Sequence, residues 1–205
     1  MENGELRSDL FSNKKLTPML LSKSAPFDHK DFIFEFKYDG ARALLYVSES
    51  HFTAMSRNQN DLTALFPEFD ALRGCVRGKC ILDGEIYCTT DGIPDFKKYL
   101  KRGNILSPFK AKATAAKYPM QYAAFDILYL NGKDLTACPL MQRKEILRDN
   151  VTPCGTLSIV DYIETHGIRL FETAKQNGLE GVVAKRKTAP YFFGRRSKDW
   201  FKVKC

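Results

Sequence analysis

Apolar and β-forming residues alternate with polar ones, or run together in short blocks, at Phe32–Lys37, Ala43–Ser48, Phe52–Ser56, Cys80–Cys88, Gln121–Leu130, Ser158–Ile163, Gly181–Lys185 and Trp200–Lys204. Each block reads as a strand, because a two-residue period sends successive side chains to opposite faces of a sheet. A period near 3.6 predicts helices over Asp61–Leu72, Asp95–Lys101, Leu140–Asp149 and Ile168–Gln176. Asn60 and Asp61 suit the cap of the first, Pro139 the first turn of the third, and Gly178 the end of the last. The mixture predicts an α+β fold of mainly antiparallel sheets flanked by helices. Gly103–Pro119, rich in lysine and alanine, fits neither period and reads as a loop or as a helix–loop insertion. The chain shows no internal repeat.

The chain has 205 residues, 44% of them hydrophobic, enough to bury a core as one domain or as one domain with a small appendage. No apolar run reaches 18 residues, and the start, Met1–Glu5, is acidic and polar where a leader would be basic and then apolar. The expectation is a soluble intracellular protein with no membrane segment. Six cysteines form no C-x-x-C pair and three histidines lie far from them, which argues against a zinc site, a disulfide framework and histidine-based catalysis. Charge is distributed unevenly. Lys97–Phe125 holds seven Lys/Arg and no acid, and Gly181–Cys205 holds eight against Asp199 alone, so of the net +8 the rest of the chain carries −6. Two basic stretches on an otherwise acidic chain point to a polyanion, most simply a nucleic-acid backbone; a solvated basic surface is the plainer alternative for Lys97–Lys117.

One hexapeptide carries the sharpest chemical signal. Lys37-Tyr38-Asp39-Gly40-Ala41-Arg42 ends an apolar strand with a lysine before a glycine-bearing turn, and an arginine follows five positions on. A free lysine, with a pKa of about 10.4, is no nucleophile at neutral pH. Lowering that value by ~3 units would free roughly half of it. Burial beside Phe34 and Phe36 and the nearby charge of Arg42 both act in that direction, and Arg42 would also neutralise a phosphate under attack. Gly40 offers close backbone approach and access to positive φ. A lysine that merely ends a buried strand is the structural alternative.

A lysine attacking a nucleoside triphosphate needs groups for base and ribose, a metal-binding carboxylate and phosphate-neutralising cations. Leu82-Asp83-Gly84-Glu85 aims Glu85 at a cleft as a ribose ligand, or is simply a turn. Phe125, in Tyr122–Asp126, presents a flat face for a purine, or is simply core. Glu180-Gly181-Val182-Val183-Ala184-Lys185 puts at one end of a strand an acid suited to Mg²⁺ and at the other a lysine. Lys202 and Lys204 share one strand face, a costly pairing unless an anion lies between them. Ser56-Arg57-Asn58 adds an arginine after a short strand.

In this order and at these separations the segments resemble the covalent nucleotidyltransferases, in particular the adenylation domain of ATP-dependent DNA ligases. The likeness runs from Leu16-Thr17-Pro18-Met19-Leu20 to Lys204. It is strongest toward the bacterial end-joining branch at SRNQNDLTALFPEF (56–69), ILDGEIY (81–87), FDILYLNGKDLT (125–136), LEGVVAKR (179–186) and GRRSKDWFKVK (194–204). The resemblance implies an ATP-grasp-like nucleotidyltransferase domain over residues 1–205, cytoplasmic in a bacterium or archaeon, active in DNA repair and recombination. It implies that Lys37 attacks the α-phosphate of ATP, that lysyl-AMP passes its AMP to a DNA 5′-phosphate, and that a 3′-hydroxyl seals the nick. By the same likeness Glu35 contacts the adenine amino group, Phe125 stacks on the base and Glu85 holds the ribose. Arg42 and Arg57 contact ribose, phosphate or the nick 5′-phosphate, while Lys185, Lys202 and Lys204 neutralise phosphate charge. Glu180, with Glu85, takes Mg²⁺ or Mn²⁺. Nicked duplex DNA is the expected partner, bound by Arg57, Lys97, Lys98, Lys101 and Arg102.

One departure stands out: the family's OB-fold domain, which follows the last lysine pair, has no counterpart here. The expectations are a truncated chain or a catalytic core served by a separate OB module or an end-joining partner. RNA ligases and mRNA-capping guanylyltransferases share the lysine chemistry and are the rival enzymes. A non-catalytic nucleotide- or DNA-binding module is the rival of another class.

Overall fold

In the computed structural model, which describes residues 9–205, strands form in chain order as β1 (Leu20–Lys23), β2 (His29–Phe36), β3 (Ala41–Val47), β4 (Phe52–Ser56), β5 (Cys80–Tyr87), β6 (Thr89–Thr90), β7 (Ile93–Pro94), β8 (Gln121–Leu130), β9 (Lys133–Asp134), β10 (Leu157–Ile159), β11 (Ile163–Thr165), β12 (Gly181–Arg186) and β13 (Arg196–Lys204). The helices are α1 (Phe96–Gly103), α2 (Pro108–Thr114), α3 (Leu140–Asn150) and α4 (Gly167–Gln176). The Met1–Glu5 start lies outside the described residues. No helix among them is long and apolar enough to cross a membrane.

Two sheets face each other. One runs β1-β13-β12-β2-β11; the other runs β10-β8-β5-β3-β4, with β9 pairing β8. Pairing is antiparallel except at β1/β13 and β10/β8.

Strand alternation decides which side chains meet between the sheets. On β2, Phe32 and Phe34 turn outward and pack with Leu170 and Ala174 of α4, while Ile33 joins Leu44, Tyr46, Ile81, Leu128 and Trp200 in the inter-sheet cluster. Glu35 shares the inward face with Ile33. The second sheet buries Ala43, Leu45, Leu82, Ile86 and Tyr122 on its far side, against Phe66, Phe69 and Leu72. The register between β5 and β8 slips between Asp83↔Asp126 and Gly84↔Ala124, leaving Phe125 as the extra residue of a bulge. Bulges of this kind re-aim a side chain beside a site.

Two expectations change, and one left open is resolved. Ser158–Ile163 is not one strand: β10 pairs with β8 in one sheet and β11 with β2 in the other, so the segment is the bridge between sheets. The helix expected over Asp61–Leu72 is two 3₁₀ stretches, Thr63–Leu65 and Pro67–Cys75. Pro67 lacks an N–H and disfavours a helical Phe66, so an α-helix cannot run through. Gly103–Pro119, left open as loop or helix–loop, contains α2.

Candidate active site

A cavity of about 550 Å³ opens between the sheets, within the range of small-ligand sites. Its floor is the inward face of the β2/β12/β13 ladder, which can be read row by row. Lys37, whose N–H donates to the Gly181 carbonyl, stands across Gly181 from Lys204; Glu35 stands across Val183 from Lys202; Ile33 stands across Lys185 from Trp200. Gly181 stands at φ +141°, and a Cβ there would lie 2.0 Å from the Val203 carbonyl oxygen, so this row requires a glycine. Arg42, Glu85 and Phe125 of the second sheet line the same cavity, and the exposed Arg57 lies at its rim.

Lys37 is half-buried, and its Nζ donates to Glu180 Oε2 at 2.5 Å. Lys204 Nζ binds the other oxygen at 2.8 Å. Burial works against an ionised Glu180, but the hydrogen bonds from Lys204 and Lys37 outweigh it and hold the carboxyl below its ordinary range. Glu85 is pushed up to about 8 by burial, opposed by the charges of Lys37 and Arg42. Asp39 is raised too, by burial and then by Glu180. Gly40 is required for close approach, since a Cβ there would lie 2.1 Å from the Ile86 carbonyl oxygen. Its φ is not in the positive region, contrary to expectation.

Arg42 does not serve as the cation beside Lys37. Its Nε and Nη2 donate to the fully buried Asp83 at 2.9 and 2.6 Å, and Tyr191 Oη donates to the same carboxylate at 2.6 Å. The guanidinium lies 5.1 Å over the Phe125 ring and 5.6 Å over Trp200. A charge matched in this way adds little repulsion at Lys37; it stiffens the aromatic wall instead.

Lys185, expected among the phosphate ligands, sits one row further in. Its Nζ is 2.6 Å from Glu35 Oε2 and 4.1 and 4.5 Å from the Phe125 and Trp200 ring centres. The ion pair is poorly aligned as a hydrogen bond, so neither Lys185 Nζ nor Trp200 Nε1 has an aligned acceptor among the described residues, although both are buried. A lysine held by charge contact and an indole N–H without an acceptor among the described residues, beside the half-buried Phe125 ring, suit the edge and face of a heteroaromatic base. Glu35 itself is buried beneath, held by Lys185 and by Lys144 of α3. Lys202 lies half-buried one row in from Lys204, and burial, then the charges of Lys204 and Lys37, lower its proton affinity.

Of the expected DNA contacts, Arg102 is overturned. It is 1% exposed, forked onto Glu68 at 2.5 and 2.9 Å and bonded to the Leu65 and Tyr118 carbonyls. Lys98 donates to the Thr89 carbonyl at 2.7 Å, whereas Lys97 and Lys101 are exposed. Asp83, Tyr191, Trp200 and Lys144 escaped assignment from sequence. For Asp83 the signal was its i+2 spacing from Glu85. For Lys144 it was position: Leu140, Arg143, Lys144 and Leu147 form the buried i, i+3, i+4, i+7 stripe of α3, with cations where apolar residues are usual.

No group of three or more His, Cys, Asp or Glu that could hold a metal ion occurs among the described residues. Of the carboxylates expected to hold a metal ion, Glu180 has both oxygens taken by Lys37 and Lys204, and Glu85 is pushed up to about 8; both are oxygen donors of the kind Mg²⁺ takes.

Two sheets closing on a cleft whose floor carries a lysine paired to an acid, faced by an aromatic wall, define a nucleotidyltransferase domain. Residues 18–204 match the ATP dependent DNA ligase domain, and the chain belongs to that family. It is 32% identical to the SPbeta prophage-derived DNA ligase-like protein LigB of Bacillus subtilis, over 92% of this chain and 67% of that protein. It is 29% identical to the multifunctional non-homologous end joining protein LigD of Mycobacterium bovis, over 95% of this chain and 24% of that protein. Among solved structures it superposes on mycobacterial DNA ligase D complexed with ATP and MES, with a TM-score of 0.77 and 27% identity over 93% of this chain and 60% of that one. The chain therefore spans from about a quarter to two thirds of these relatives.

Proposed function

We propose that the chain is the adenylating core of an ATP-dependent DNA ligase, in which Lys37 attacks the α-phosphate of ATP and expels pyrophosphate. The observation that carries this reading is the Lys37–Glu180–Lys204 cluster, whose Lys37 lines the cavity together with Glu85 and Phe125. Attack needs the Lys37 lone pair, so Lys37 must give up a proton, to Glu180 or through it to water, and its contact with Glu180 must open when the triphosphate binds. Phosphate oxygens drawn in by Lys202 and Lys204 compensate that opening. A divalent ion held by Glu180 would supply charge stabilisation at the α-phosphate. Phe125 stacks on the base, with Glu35 and Lys185 at its edge, and Glu85 accepts from the ribose hydroxyls. AMP then passes from Lys37 to a DNA 5′-phosphate near Arg57, and the 3′-hydroxyl displaces it.

DNA docking is supported by the segment following β7. Of the described residues, Ile93, Phe96, Leu100, Leu106 and Phe109 are exposed large apolar side chains, interleaved with exposed Lys97, Lys101, Lys110, Lys112 and Lys117. Cations for the phosphates and apolar tips for a groove match a nucleic-acid duplex. Likeness to the multifunctional non-homologous end joining protein LigD supports a role in end joining; an OB-type module or an end-joining protein is the partner we propose.

The test is incubation with α-phosphate-labelled ATP and, in parallel, GTP. Wild-type protein acquires a covalent label from ATP; Lys37→Ala acquires none yet still binds ATP reversibly. Label from GTP alone would indicate a capping enzyme. No label at all, even with an OB module and Mg²⁺ or Mn²⁺, would leave a binding module.

A further inference from the structure

α3 places a lysine where helix packing calls for an apolar residue. Lys144 is 1% exposed, and its nearest partners are the Glu35 carboxylate, the Val160 carbonyl at 3.5 Å and the Tyr162 ring at 5.6 Å. A leucine at the same i+4 position would pack the helix without the cost of desolvating an ammonium. Of those three neighbours, Glu35 is the one that needs a cation. Glu35 already has Lys185 as a partner, but Lys185 lines the cavity, where a bound ligand competes with Glu35 for it. Lys144 reaches the carboxylate from behind and does not line the cavity.

We infer that Lys144 is a positioning residue of the nucleotide site: it fixes Glu35 from outside the cavity as the acceptor that selects adenine over guanine. The inference rests on the adenylating function proposed above. Adenine offers an N6–H donor where guanine offers the O6 acceptor. A carboxylate pinned in place accepts from the first and repels the second. Were Glu35 held by Lys185 alone, any ligand recruiting Lys185 would loosen the carboxylate as well. With Lys144 behind it, Glu35 keeps its place while Lys185 turns to the base.

The test is covalent labelling kinetics of the whole chain with ATP and GTP, in wild type, Lys144→Met, Lys144→Arg, Glu35→Gln and the Glu35→Gln/Lys144→Met double variant. Lys144→Met is expected to raise KM for ATP by about tenfold with a smaller change in kcat, and to cut the ATP:GTP preference by at least about tenfold. Lys144→Arg restores most of the preference. In the Glu35→Gln background, removing Lys144 changes the preference by less than about twofold, because its route of action is already gone. Should methionine prevent folding, Lys144→Gln, which still donates without a charge, is expected to lose preference in the same direction. An unchanged ATP:GTP ratio in the single variants, or an equal loss with and without Glu35, overturns the inference while wild-type labelling stands. Wild-type protein that never takes label overturns both it and the function on which it rests.

Discussion

At the scale of the residue, Lys185 shows how burial and pairing compete. Burial pulls its proton affinity down to about 8 against the opposing pull of Glu35. The charged groups facing it are Glu35 on β2, Lys144 on α3 and Asp126 on β8, with the Phe125 and Trp200 rings over its Nζ. Since the folded value lies below the unfolded one, the unfolded chain binds more protons between pH 8 and the ordinary lysine value, and stability rises with pH through that window. Below about pH 8 both states are protonated and the full desolvation cost remains. Wild type should therefore gain stability relative to Lys185→Met, by a few kcal/mol, as urea melts are moved from pH 8 to 10.5. A constant difference would show that Lys185 keeps an ordinary proton affinity. The sequence marked Lys185 as a cation in a motif but could not tell which anion it meets, because Glu35 lies 150 positions away and is brought diagonally within reach, two residues from Lys185's register partner Ile33, only by the β2/β12 pairing.

At the scale of the element, the β5–β8 pair turns on one missing side chain. A Cβ on Gly84 would lie 2.4 Å from Tyr122 Cζ and 2.5 Å from the Ala123 carbonyl oxygen. Tyr122 cannot swing aside, because its Oη donates to the Ala43 and Leu82 carbonyls at 2.9 and 3.2 Å. Gly84→Ala should cost about 1–3 kcal/mol by urea denaturation. Gly74, in the 3₁₀ stretch, has nothing within 4 Å of the same point and no positive φ, so Gly74→Ala should be neutral or stabilise by about 0.4–1 kcal/mol. Equal effects would refute the packing argument. Most strands were readable from alternation alone, whereas the Phe125 bulge was not: a bulge is a property of two strands in register, and a single strand's pattern does not contain it.

At the scale of the whole molecule, the basic segment that looked uniform in sequence divides into two populations. Arg102 belongs to the interior, and Arg102→Ala should cost about 3–5 kcal/mol of stability by leaving Glu68 without its cation. Lys97, Lys101 and Lys110 face solvent; replacing them with glutamine should leave the thermal midpoint unchanged. The same change should weaken duplex DNA binding and flatten its salt dependence by about 0.9 in slope for each phosphate no longer neutralised. DNA affinity that is untouched would return these lysines to a merely solvated surface. From one-dimensional order the chain determined the alternating strands, the lysine-centred hexapeptide and the motif succession that marks its family, since all of these are local patterns. Only the tertiary structure decided the charge partners: that Arg42 is committed to Asp83, that Lys37 and Lys204 share Glu180, and that Lys144 supports Glu35 from another layer. The physical reason is range. A side chain's period along the backbone says which way it points, but an ion pair depends on what folding places within about 3 Å of it, and sequence separation does not encode that distance.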